Sequence, residues 1–164
     1  MAKLLWREAR DQAQKLMDRF GQRGPNVRLV SLCESFGIRV WDARLPSGVS
    51  GMIVKEKGED ADIYIDESDP ETRQRFTLAH ELGHFIERTV VAGDKDFSFR
   101  DVRSSNKYDL QEFFADEFAG ALLMPVPEFA RDKRTMSVAQ LADRYKVSTA
   151  AVEKRIERLR KNAD

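Results

Sequence analysis

The sequence predicts an α+β fold in which a small antiparallel sheet packs on helices, followed by a C-terminal pair of helices resembling a helix-turn-helix. Three observations predict it. Apolar residues recur at helical spacing near the N-terminus and again beyond residue 109, three short β-type runs lie between residues 38 and 66, and helix-capping residues punctuate the last thirty positions. The expected division is a main domain over 1–130 and a helical subdomain over 131–164.

A chain of 164 residues with 41% hydrophobic content suits a single core of ordinary globular composition. Its 28 basic and 28 acidic side chains cancel, so no overall field attracts nucleic acid or an anionic membrane. The stretch 131–164 is locally basic. "MAKLLWREAR" has no apolar run of a secretory signal, and no stretch approaches the roughly 20 apolar residues that span a bilayer. The single cysteine, Cys33, forms no internal disulfide, which points to a reducing cytoplasm.

Leu5, Ala9, Ala13, Leu16, Met17 and Phe20 form one stripe, so 3–20 is an amphipathic helix stopped by Gly21 and "RGPN". A shorter helix carries Leu29, Leu32, Cys33 and Phe36, with Gly37 beyond its end and Cys33 as a small core residue. "IRVW", "SGMIVKE" and "DIYID" read as strands. Asp69 as cap, Pro70 at the first helical position and Glu71 then start the next helix. From Thr89 to Tyr108 the pattern dissolves into a long connection, of the kind that is functional or mobile. A helix from Leu110 to Met124 ends at Pro125 and Pro127. Ser137 caps "VAQLADRY", and Ser148 caps "TAAVEKRIERLRK".

The only two histidines, His80 and His84, lie four apart in "AHELGH". That spacing gives about 6 Å of rise and about 40° of rotation, so both can reach one ion. Glu81 is turned about 100° further and suits a general base for a metal-activated water. Gly83 leaves room for a neighbouring backbone. The ordinary alternative is two surface or core histidines.

Two ligands leave a catalytic zinc site incomplete, and no third histidine exists, so a carboxylate is expected. Glu87 continues the same helix, and Asp94, Asp96, Asp101 and Asp109 sit on the long connection. In "LQEFFADEFAGALLMP", Ala115, Asp116, Ala119 and Leu123 fall within about 60° of Glu112. Glu112 is the expected third ligand, and Asp116 the acceptor for the other nitrogen of a ligating histidine. An ordinary surface charge pair is the alternative. Glu117 lies away from this face and is expected in solvent. One Zn²⁺ per chain is the expected ion, with Mn²⁺ as an alternative.

With "VSGMIV", "DESDPETRQRFTLAHELGHFI", "EFFADEFAGALLMP" and "SVAQLADRYKVSTAAVEKRIERL", the chain resembles the ImmA/IrrE metallopeptidases from end to end. The resemblance implies a zincin-like core, with His80 and His84 matching the histidine ligands, Glu81 the catalytic glutamate and Glu112 the carboxylate ligand. Asp116 stands where Asn is more usual. The implied function is site-specific cleavage of a helix-turn-helix transcriptional repressor, often encoded nearby, which relieves repression of phage, mobile-element or stress genes. Tyr64, Arg73 and Tyr108 are open candidates for a donor to the developing oxyanion. "SGMIV" is a candidate to pair with an extended substrate, or an ordinary strand. The C-terminal helices are expected to contact protein or pack on the core. Direct DNA binding and membrane association are not expected. The rival reading is a metal-stabilised, toxin-like partner that controls a neighbouring regulator by binding, without proteolysis.

Overall fold

In the computed structural model, which describes residues 2–94, 99–104 and 108–163 and only the backbone at 2, 3 and 99–104, the first apolar stripe folds as α1 (Ala2–Phe20). Ala9, Ala13, Leu16 and Met17 of that stripe are buried, as is Trp6. After a 3-10 turn at Gly24–Asn26 comes α2 (Leu29–Glu34). The chain reverses at Gly37, whose φ of +74° favours a residue without Cβ, and Ile38 N donates back to Cys33 O at 3.0 Å. Cys33 is wholly buried, and burial pushes its thiol up to about 12, so it is the inert core residue expected.

Four strands follow: β1 (Arg39–Ala43), β2 (Val49–Lys55), β3 (Asp62–Asp66) and β4 (Phe99–Ser104), in the spatial order β1-β3-β2-β4. The sheet is mixed rather than wholly antiparallel, because β3 inserts between β1 and β2 and runs parallel to β1. Charge pairing supports that register. Arg39 donates twice to Asp62 at 2.7 Å, and Trp41 Nε1 donates to the same carboxylate at 2.8 Å. Ile53, Ile63 and Ile65 form the inner face, and Trp41 and Tyr64 alternate onto the outer one.

The histidine-bearing helix, α3 (Glu71–Ile86), begins one residue later than expected. Pro70 is its N-cap and makes no side-chain cap bond, while the Asp69 carboxylate lies 3.5 Å from Arg73. The expected structureless connection is also corrected. The helix runs on through a π turn at Glu87–Val91, and Phe99–Ser104 pairs antiparallel with β2 as an edge strand. Residues 95–98 and 105–107, including Asp96, lie outside the described residues.

Helix α4 (Leu110–Leu123) lies between α3 and α1. A helix covered on two sides is apolar nearly all round, and Phe114, Phe118, Ala119 and Leu122 are each buried without exposure. The expectation of a solvated Glu117 fails for this reason: the face opposite Glu112 meets α1 and the chain's last helix. Glu117 is 0% exposed and accepts from Arg10 at 2.8 Å, Arg155 at 3.1 Å and Arg158 at 3.0 Å.

A short α5 (Glu128–Asp132) follows the prolines. Then come α6 (Val138–Tyr145), with a full capping box between Ser137 and Gln140, and α7 (Thr149–Lys161), capped by Ser148. Leu141, Tyr145, Val147 and Val152 belong to the same apolar cluster as Leu82 and Phe118.

Candidate metal centre

Residues four apart on α3 share a face, and on that face His80 and His84 turn their Nε2 atoms to within 3.0 Å of each other. Glu112 closes the group from the first turn of α4, with Oε2 3.3 Å from His80 Nε2 and Oε1 3.0 Å from His84 Nε2. These three side chains form a metal-capable cluster among the described residues. Glu87, instead, lies beside Arg88 at 3.6 Å. Two imidazole nitrogens and a carboxylate are a donor set that suits a divalent ion such as zinc, and their facing atoms stand 3.0–3.3 Å apart. Burial would raise the Glu112 pKa, but its hydrogen bonds and charge contacts with the two imidazoles outweigh that and hold it down to about 2.

Local sequence explains the placement of Glu112. Asp109, a connection carboxylate considered as a ligand, instead caps α4, accepting from Gln111 N at 3.0 Å and Glu112 N at 3.1 Å. The close crossing of α3 and α4 comes from Gly83. A Cβ there would stand 3.0 Å from Ala115 Cα and 3.2 Å from Ala115 O, as the small residues on both helices lead one to expect.

Asp116, one turn beyond Glu112, lies with Oδ1 2.8 Å from His80 Nδ1. An ionised carboxylate only accepts, so Nδ1 carries a proton, and Nε2 is the ring atom turned toward the cluster. The sequence reading sought an acceptor for a ligating histidine at this position, and Asp116 is the carboxylate found beside the His80 ring.

Glu81 is wholly buried, and it faces β2 at Gly51. A Cβ on Gly51 would collide with Thr77 Cγ2 and stand 3.4 Å from Glu81 Oε1. Gly51 therefore lets α3 settle on the sheet with Glu81 in place. The sequence reading treated "SGMIV" as a strand and missed this reason for its glycine.

The three oxyanion-donor candidates separate. Tyr64 lies on the outer sheet face, opposite α3, which removes it. Arg73 is seven residues before His80, about 10 Å of rise, and donates to Ser50 Oγ at 3.1 Å. It lines a groove of ≈ 380 Å³ shared with Phe76, Asp116, Ala151 and Lys154. Tyr108 is 58% exposed and lies against α7, where Arg158 donates to its hydroxyl at 2.7 Å. Its partial burial and the neighbouring Asp116 raise its pKa against the opposing influence of Arg158. A larger cavity of ≈ 800 Å³, lined by residues such as Val40, Ile65 and Arg75, includes none of the three cluster residues. Convergent chemistry, not cavity size, marks the site.

The model of the IrrE N-terminal-like domain, the peptidase M78 family, matches residues 33–157. No curated protein matches at a significant level. A solved structure described as a Mycobacterium tuberculosis transcriptional regulator superposes with a TM-score of 0.67 at 20% identity, covering 92% of this chain and 46% of that one. At that identity the likeness speaks for the fold. This chain spans less than half of that relative. Among the described residues no helix is long and apolar enough to cross a membrane.

Proposed function

We propose that this chain, which belongs to the peptidase M78 (IrrE N-terminal-like) family, is a zinc-dependent endopeptidase acting on a helix-turn-helix repressor in the cytoplasm. The observation that carries the reading is the convergence of His80, His84 and Glu112 on one point, with the buried Glu81 adjoining on α3. His80, His84 and Glu112 hold the ion and Asp116 sets the orientation of His80. When bound, the ion supplies Lewis acidity, making a water more acidic and polarising a carbonyl oxygen. Glu81 takes a proton from the attacking water as its oxygen bonds to the peptide carbonyl carbon. It then delivers that proton to the amine as the C–N bond breaks.

The sheet constrains how substrate lies. β2 has hydrogen-bonded neighbours on both sides, so "SGMIV" offers no edge for a substrate strand, and β4 is the edge beyond it. The repressor as substrate rests on the family resemblance. The inward use of Arg155 and Arg158 on Glu117 supports a role for α7 other than phosphate contact. The test is incubation with the neighbouring repressor, with and without a zinc chelator, followed by intact mass. Two chelator-sensitive fragments are expected. A repressor inactivated but never cut would establish control by binding instead.

A further inference from the structure

Helix α7 reaches the metal centre through Asp116. Lys154 Nζ lies 3.5 Å and Arg158 Nη2 3.6 Å from Asp116 Oδ2, while Oδ1 faces His80 Nδ1 at 2.8 Å. One carboxylate oxygen faces the histidine and the other faces two cations, and the Tyr108 hydroxyl also hydrogen-bonds this carboxylate. Arg158 is itself well anchored: only 12% exposed, it donates to Glu117 Oε2 at 3.0 Å and to Tyr108 Oη at 2.7 Å. Lys154 is 54% exposed, so water screens its contribution. The cations also answer a local conflict, because Glu112 and Asp116 are like charges one turn apart on α4.

We infer that Arg158, assisted by Lys154, is a positioning residue for the metal centre. It pins Oδ2 of Asp116, so that Oδ1 holds the His80 ring and its tautomer. The C-terminal helix is then part of the metal site, although residues 1–130 contain every group that touches the ion or the reacting atoms. The inference rests on the reading of His80, His84 and Glu112 as a metal site.

The test is zinc affinity of the full chain, measured by competition with a coloured chelator, beside the melting temperature of the zinc-free protein. Arg158→Gln weakens zinc about 10-fold, the lower end for groups that orient a ligand. Lys154→Met weakens it about 3-fold, as befits an exposed pair. In an Asp116→Ala background, Arg158→Gln adds no further loss. Arg10→Gln is the control, because Arg10 pairs with Glu117 as Arg158 does, whereas among the described residues it is Lys154 and Arg158 whose ion pairs with Asp116 are seen. It lowers the melting temperature and leaves zinc affinity within about 2-fold, too small a change to count as loss of a ligand-orienting group. If the wild type holds no zinc, the metal reading itself fails. If the wild type holds zinc and Arg158→Gln loses no more than Arg10→Gln, the inference is overturned and the metal reading stands.

Discussion

Gly83 of α3 lies directly against Ala115 of α4, so close that a Cβ on the glycine would stand 3.0 Å from the alanine Cα. This crossing sets the spacing at which Glu112 meets two histidines on the other helix. Gly83→Ala must push backbone from backbone, with Phe118 Cδ1 also 3.1 Å away. Overpacking of this kind costs about 1–3 kcal/mol. Urea denaturation of the zinc-free protein should show that loss, and chelator competition should show weaker zinc binding. An unchanged zinc affinity would mean that the crossing does not set the ligand geometry.

Glu117 joins three helices by accepting from Arg10 of α1 and from Arg155 and Arg158 of α7. Arg155 is only 3% exposed, so removing the carboxylate strands a buried cation. Glu117→Ala should destabilise by about 3–5 kcal/mol, the range for breaking a buried pair from one side. A loss under about 1 kcal/mol, measured by urea denaturation, would show the network to be no stronger than a surface pair.

The charge of Asp132 should make stability depend on pH. The hydrogen bond from Tyr145 at 2.8 Å lowers its pKa, burial opposes this, and Arg144 and Arg131 reinforce the lowering. Burial and the same hydrogen bond push the Tyr145 hydroxyl up to about 12. A depressed carboxyl pKa stabilises the fold above its unfolded value, about 3.9, and that stabilisation fades as pH falls through the folded value. Asp132→Asn should therefore lower the urea midpoint clearly at pH 7 and much less near pH 3. An equal deficit at both would assign the effect to packing.

What the sequence revealed and what it hid follow from how local each signal is. His80, Glu81 and His84 were legible because four-residue spacing on a helix fixes a common face, and Glu112 with Asp116 followed from the same periodicity on α4. Glu117 was misread because periodicity identifies two faces of a helix but not what covers the second. Strand β4 was hidden because Arg100, Asp101 and Arg103 break the apolar alternation, a common feature of edge strands. The parallel pairing of β1 with β3 depends on strand order, which no short window records. Lys154 and Arg158 lie some forty positions from the α4 carboxylates they meet, as the 41-residue separation of Arg158 and Glu117 shows.

Glu81→Gln tests the account most directly. The amide keeps the size of the side chain and removes the base, and in this account Glu81 is not a ligand. The variant should hold the same zinc per chain as wild type by elemental analysis and melt at nearly the same temperature. Cleavage of the repressor, followed by intact mass, should fall at least about 100-fold, the lower end for a positioned acid–base group. A Glu81→Gln protein that cuts at the wild-type rate with zinc in place would contradict the account.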